Sequence, residues 1–253
     1  MQLTNNTILI TGGTSGIGRG LAEAFHKLGN QVIIAGRRKA LLDEVTRANP
    51  GMRAVELDIA DPASIQRAAA ALIAEYPTLN VLVNNAGIMP FDDPSGTIDD
   101  ATAVSTIETN LLGPVRMTSA LVGHLKQQPR AAIINNTSVL AYVPIATNAV
   151  YSATKAALHS YTLSLRFMLR DTGVTVQEIA PPWVNTDLIH KGDDPRAMPL
   201  DAFIAQTMQA LASDREEALV DIAVPLRNNA GPDEHKLVTE FNTHIAENPI
   251  PVA

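Results

Sequence analysis

The stretch Thr7-Ile8-Leu9-Ile10-Thr11-Gly12-Gly13-Thr14-Ser15-Gly16-Ile17-Gly18 decides how the chain is read. Consecutive aliphatics lead into a glycine-rich turn. A helical pattern over Ile17–Leu28 follows and is stopped by Gly29. Glycines between a strand and a helix let the backbone approach a pyrophosphate closely. The free N–H groups and positive dipole end of the helix then face the anion. An ordinary glycine-rich turn is the alternative, but the strand before and the helix after favour a dinucleotide site. Gly12, Thr14, Ser15, Gly16, Ile17 and Gly18 are its candidate residues.

The same alternation continues outward. Apolar runs at Gln31–Ala35, Met52–Leu57, Val81–Asn84, Ala131–Asn135 and Val174–Ile179 predict further strands, with a last one over Ala218–Ala223. Helical patterns cover Arg38–Ala48, Pro62–Tyr76, Ala101–Gln127 (broken near Gly113-Pro114), Asn148–Arg170, Leu200–Leu211 and Pro232–Ala246. Residues 90–100 and 186–199 read as polar loops, the second of them mobile. Strands apolar on both faces belong to a parallel sheet covered by helices. The expectation is an α/β fold: one doubly wound, Rossmann-type domain over residues 1–253, with a parallel sheet of about seven strands and helices on both faces. Residues 187–204 are the expected substrate lid and 224–253 a C-terminal extension.

Composition narrows the function classes. Of 253 residues, 46% are hydrophobic, and the formal net charge is −7, against a general nucleic-acid binder. No cysteine is present, which removes disulfides, thiolate metal sites and a cysteine nucleophile. The six histidines show no metal-ligand spacing, so no catalytic metal is expected. With no signal-peptide pattern and no long apolar span, a cytoplasmic protein without membrane association is expected.

The second strand runs into Gly36-Arg37-Arg38 and lacks the acidic residue that would bind a ribose 2′-hydroxyl. A guanidinium can grip a 2′-phosphate, so NADP(H) is favoured over NAD(H), with Arg37 ahead of Arg38. Their alternative role is to cap the next helix. Tyr151-Ser152-Ala153-Thr154-Lys155 places a phenol and an ammonium four residues apart on one helical face, where the charge lowers the phenol pKa. Ser138 follows the fifth strand, so its position converges with the glycine loop at the strand carboxyl ends.

The loop spacing T-G-x-x-x-G-x-G, with Asn84-Asn85-Ala86-Gly87 and the set Asn110, Ser138, Tyr151, Lys155, resembles the short-chain dehydrogenase/reductase family. Within it, Ile8–Gly18, Asn80–Ile88, Ala131–Ser138, Thr154–Arg166 and Ala180–Leu188 are similar to the branch encoded in the teichoic-acid D-alanylation operon. That likeness fades after about residue 190 and supplies no substrate. The resemblance implies hydride transfer between a nicotinamide and a carbonyl or secondary alcohol. It makes Tyr151 the general acid or base, and Ser138 the hydrogen-bond partner of the carbonyl oxygen. Lys155 is implied to tune Tyr151 and hold the ribose, and Asn110 to bend its helix and support a water relay. It further implies cofactor contacts from Asp58, Ile59, Asn85, Ala86, Gly87, Tyr151, Lys155, Pro181, Val184 and Thr186. Pro182 stands where the family has glycine, which puts that loop's conformation in question. Substrate candidates beside the tetrad are Met89, Pro90, Val139, Leu140, Val143, Asn148, Trp183, Leu188 and Ile189, mostly apolar, which suits a hydrophobic or aromatic ketone. His190 and Lys191 read first as part of a solvated loop, with contact to an anionic substrate as the alternative. The resemblance also implies a homodimer or homotetramer built on the two long helices. The competing functional expectation is a catalytically silent NADP-binding sensor on the same fold.

Overall fold

The computed structural model describes residues 1–189, 194–229 and 231–249. Among them a seven-stranded parallel sheet runs in the order β3-β2-β1-β4-β5-β6-β7. The strands are β1 (Thr7–Thr11), β2 (Gln31–Gly36), β3 (Arg53–Glu56), β4 (Leu79–Asn84), β5 (Ala131–Asn136), β6 (Val174–Ile179) and β7 (Glu217–Ala218). The order reverses beside β1, whose neighbours are β2 and β4, and this reversal opens a crevice at the strand carboxyl ends.

The apolar run that starts the chain explains the layering. Ile8 and Ile10 point into a core shared with Phe25, Ile34 and Phe203, while Leu9 points into the opposite core with Ile33, Leu82, Met117 and Leu121. The first core is covered by α1 (Gly16–Lys27), α2 (Lys39–Ala48) and α7 (Leu200–Leu211). The second lies under α3 (Pro62–Glu75) and α5 (Gly113–Leu125). All these side chains are essentially excluded from solvent, each contributing about 1.5–3 kcal/mol of burial.

The helix expected over Ala101–Gln127 is interrupted, and the interruption begins before the glycine. α4 (Asp100–Ile107) passes into a π-helical stretch, Glu108–Leu112, and α5 resumes at Gly113. Asn110 lies in that stretch, fully buried. The long helix α6 (Ala149–Leu169) starts at two amides, those of Ala149 and Val150, held by the Asp92 carboxylate at 2.8 and 2.9 Å. The 90–100 loop therefore carries the cap of the Tyr151 helix.

Two expectations need correction. The last strand covers only Glu217–Ala218. Asp221–Ala223 is a 3-10 turn leading into α8 (Val224–Arg227), because the ladder with β6 ends once Ala218 has met Ile179 at the sheet edge. Residues 200–204 of the expected lid belong to α7. Phe203 and Ile204 there are core residues packed toward α1, with Ile204 seated against Gly20. The C-terminal helix is α9 (Glu234–Glu247). Among the described residues no helix is long and apolar enough to cross a membrane.

The resumption of the helix at Gly113 depends on close approach. A Cβ there would lie 2.6 Å from Ile59 Cγ1 and 3.1 Å from its carbonyl oxygen. Gly113→Ala is expected to destabilise the fold by about 1–3 kcal/mol through overpacking, read as a lower urea midpoint with an unchanged m-value.

Candidate active site

A cavity of about 950 Å³ opens at the carboxyl ends of the strands, on the reversal beside β1. Its floor at one end is the glycine loop. Gly12 takes φ +67°, and a Cβ there would meet the Ala86 backbone at 2.9 Å, so only glycine fits the approach to β4. Ser15 occupies the cap position of α1 without using its side chain as a cap, and the first turn of α1 carries no acid. The leading N–H groups of α1 are thus left for an anion.

Asn85 fastens this loop to the next strands. Its amide donates to the carbonyls of Thr11 and Gly12 at 3.0 and 3.3 Å, and its oxygen accepts from Asn136 at 2.8 Å. Asp58 accepts from the Ala60 amide at 3.0 Å and also lines the cavity, so it serves as a turn cap and a wall residue together. Ile59, Ala86 and Gly87 line the same wall. Arg37 and Arg38 stand exposed at the rim, and Arg38 reaches the Thr14 hydroxyl at 3.5 Å. Arg38 is also the residue before α2, without a side-chain cap of that helix. Past β6, Asn185 and Met198 donate to Met198 and Trp183 carbonyls at 2.9 Å each, and pin the loop. Pro181, Val184 and Thr186 line the cavity there, and Thr186 lies against Gly16. No residue from 181 to 186 takes a positive φ, so the backbone accommodates proline at 182.

The chemistry-bearing side chains meet where β5 ends. Tyr151, Lys155 and Ser138 are almost fully buried and all line the cavity. The Lys155 Nζ donates to the Asn136 carbonyl at 2.8 Å and lies 5.5 Å from the centre of the Tyr151 ring. The Ser138 hydroxyl accepts from the Leu140 amide at 3.1 Å, donates to the Pro181 carbonyl at 3.5 Å and lies beside the Tyr151 phenol. Burial pushes that phenol up to about 12, with the Ser138 hydroxyl pulling it back in part. Burial also pulls the Lys155 ammonium down to about 8, opposed by the charge of Glu178. The Tyr–Lys spacing predicts a lowered phenol pKa; burial is the larger influence on this phenol and acts upward. Asn110 does not reach the cavity wall. Its oxygen accepts from the Ile88 amide at 2.9 Å, and its amide donates to the Ile88 carbonyl at 2.8 Å.

Of the substrate candidates, Met89, Val139, Leu140, Trp183, Leu188 and Ile189 line the cavity. Val143, Asn148 and Pro90 do not. Val143 is fully buried with Tyr142 and Ala180 beneath the C-terminal segment. The Asn148 amide is engaged by the Pro90 carbonyl at 2.8 Å, at the start of α6. His190 and Lys191 lie outside the described residues. Sequence reasoning missed Ile222, Leu226, Phe241 and Ile245, which also line the cavity. They come from the C-terminal segment, where no motif marks them; only the apolar spacing of Phe241 and Ile245 on one face of α9 was available as a signal.

The family model described as short chain dehydrogenase matches residues 6–197. The chain belongs to that family. It is 41% identical over 249 residues to an uncharacterized oxidoreductase, DltE, of Bacillus subtilis, covering 96% of this chain and 99% of that one. A short chain dehydrogenase from Burkholderia cenocepacia, solved in complex with NADP, superposes with a TM-score of 0.83 at 27% identity, over 99% of this chain and 100% of that one. A 3-ketoacyl-(acyl-carrier-protein) reductase from Brucella melitensis, complexed with NADH, does so at 0.77 and 27%, over 86% and 96%. Membership places the chain among oxidoreductases. The uncapped start of α1 and the close-fitting Gly12 turn suit a nicotinamide dinucleotide.

A buried ammonium costs the folded chain. With its folded pKa near 8 and an ordinary value of 10.5, the unfolded chain holds more protons between those pH values, so this group's contribution to stability rises with pH there. The stability of the wild type relative to Lys155→Met is therefore expected to rise with pH between about 8 and 10.5, measured by denaturant melts of both proteins across that range.

Proposed function

We propose that this protein is an NADP(H)-dependent oxidoreductase that reduces a ketone or aldehyde, or oxidises the matching alcohol. The observation carrying this reading is that Tyr151, Ser138 and Lys155 share one cavity wall with the glycine loop and the Arg37–Arg38 rim. When bound, the nicotinamide supplies or accepts the hydride. Gly12, Gly16, Gly18 and the start of α1 would hold the pyrophosphate, and Arg37 and Arg38 a 2′-phosphate. Thr14, Ser15 and Ile17 of the loop line the same end.

Tyr151 then delivers the proton to the carbonyl oxygen, or removes it from the alcohol. A phenol held near 12 is a proton donor at neutral pH, which suits the reductive direction. Ser138 donates a hydrogen bond to the same oxygen as negative charge develops there. Lys155 holds positive charge beside the phenol and steadies the phenolate left after proton transfer. Asn110 acts behind it, bonded to Ile88 and, at 3.4 Å, to Thr154 next to Lys155; it supports the water relay that resupplies the proton.

The far end of the cavity favours an apolar, uncharged substrate body. Met89, Leu140, Trp183, Leu188, Phe241 and Ile245 line it. Arg196 also faces it, but its guanidinium is paired with Asp194 at 2.7 Å, stacked 4.9 Å from the Trp183 ring centre, and bonded to the Asn248 carbonyl at 3.0 Å. The outer face of α6, where Phe167 and Met168 are 63% and 71% exposed, supports a homo-oligomer.

Tyr151→Phe is expected to lower turnover of a ketone panel by about 10²–10⁴-fold while NADPH binding stays within about twofold by fluorescence titration. Equal turnover by the two proteins would remove Tyr151 from the mechanism. Substituting Arg37 and Arg38 together by Ala is expected to weaken NADPH binding about tenfold or more and leave NADH binding unchanged. Equal losses for both cofactors would count against the 2′-phosphate contact.

A further inference from the structure

Behind the catalytic wall sits a second polar cluster that the proposed chemistry does not use. Glu178, on β6, is fully excluded from solvent. Its carboxylate accepts from the Thr137 hydroxyl at 2.6 Å, the Tyr142 hydroxyl at 3.1 Å and His159 Nδ1 at 2.8 and 3.0 Å. A carboxylate isolated from water survives in the charged form only with such partners. The cluster touches the site at two points. Thr137 lies between Asn136, whose carbonyl holds Lys155, and Ser138, which lies beside Tyr151. His159 lies one turn along α6 from Lys155, on the same side of the helix.

We infer that Glu178 is a positioning residue for the reaction: through Thr137 and His159 it locks the end of β5 to α6, and with it the Asn136 carbonyl that holds the Lys155 ammonium. This rests on the functional reading given above. Three consecutive residues, Asn136, Thr137 and Ser138, then perform three linked tasks. They anchor the ammonium, bind the buried carboxylate and present the hydroxyl. A shift of β5 against α6 would disturb all three together.

The other charged and titratable groups around the cluster are accounted for. Tyr142 packs edge-on against the His159 ring at 5.1 Å, and its phenol is pushed up by burial and by the Glu178 charge. Arg227, on α8, lies 4.8 Å over the Tyr142 ring and holds both Glu217 oxygens at 2.8–3.0 Å. Glu216 turns outward toward Arg166 at 3.6 Å. His159, Glu178 and Glu217 bring ligand atoms within 4.8 Å of one another, but Arg227 already neutralises Glu217 and three donors satisfy Glu178. The cluster is balanced as it stands, without a cation.

Two measurements test the inference. The first follows Lys155 without turnover: competitive acetylation by acetic anhydride across pH, read at the Lys155 peptide by mass spectrometry. Glu178→Gln removes the charge that opposes the desolvation of Lys155, so the Lys155 labelling midpoint is expected to move down by about half a pH unit or more. An unchanged midpoint in folded Glu178→Gln overturns the link from Glu178 to Lys155. The second isolates the mechanical link and applies even if Glu178→Gln does not fold. Thr137→Val is expected to lower kcat for ketone reduction about tenfold with NADPH affinity unchanged, and Thr137→Ser to restore it within about twofold. Wild-type kcat in Thr137→Val, or no recovery in Thr137→Ser, overturns the positioning role. If the wild-type protein turns over no carbonyl, the functional reading fails, while the labelling midpoint still decides the role of Glu178.

Discussion

The hydrogen bond from Lys155 to the Asn136 carbonyl, 2.8 Å long, is the contact on which the site depends. It joins the first turns of α6 to the end of β5, and so fixes where a buried ammonium stands relative to Tyr151 and Ser138. Everything needed to make that bond possible lies elsewhere in the fold. The Asp92 carboxylate starts α6 at Ala149, two residues before the tyrosine. Asn85 ties the end of β5 to the glycine loop through Asn136 and through Gly12. Parallel pairing of β4, β5 and β6 brings their carboxyl ends to one side, where loops rather than strand residues can meet a ligand.

The same contact sets the electrostatics. The ammonium and the phenol are both buried, so desolvation dominates each: the phenol stays neutral well above pH 7, and the ammonium gives up its proton more readily than a surface lysine. A lysine in that condition needs a counter-charge. Glu178, itself screened from water and satisfied by three donors, opposes the desolvation of Lys155. The pocket therefore stores charge in a low-dielectric setting, at a cost to stability; in the proposed reaction these groups need no reorganisation when a carbonyl oxygen becomes negative.

Much of this was legible in the sequence because the signals are local. Ile8 to Gly18 fixes a strand, a turn and a helix within a dozen residues, and the Tyr151–Lys155 spacing needs only helical geometry. Ser138 could be placed because β5 is a clean apolar run. What failed depended on contacts distant in sequence. Val143 and Asn148 are near Tyr151 along the chain, yet one is sealed under the C-terminal segment and the other is spent on the Pro90 carbonyl. Phe241 and Ile245 are about ninety residues beyond the tyrosine and line the cavity on a helix that packs against the core and bonds the Pro144 carbonyl through Asn242 at 3.0 Å. The last strand is short because it is itself the sheet edge, paired with β6 on one side alone, and β-branched residues beyond it, such as Val220, pack without a ladder. Glu178 carried no motif at all; its meaning comes from burial.

The central claim is that the phenol of Tyr151 and a nicotinamide act on one carbonyl group. It is tested most directly by supplying NADPH deuterated at the nicotinamide C4 position, one stereoisomer at a time, with a panel of apolar ketones and aldehydes. Deuterium is expected on the carbinol carbon of the product from one isomer only, with solvent providing the hydroxyl proton. NADPH that binds while no carbonyl in the panel acquires deuterium would contradict it.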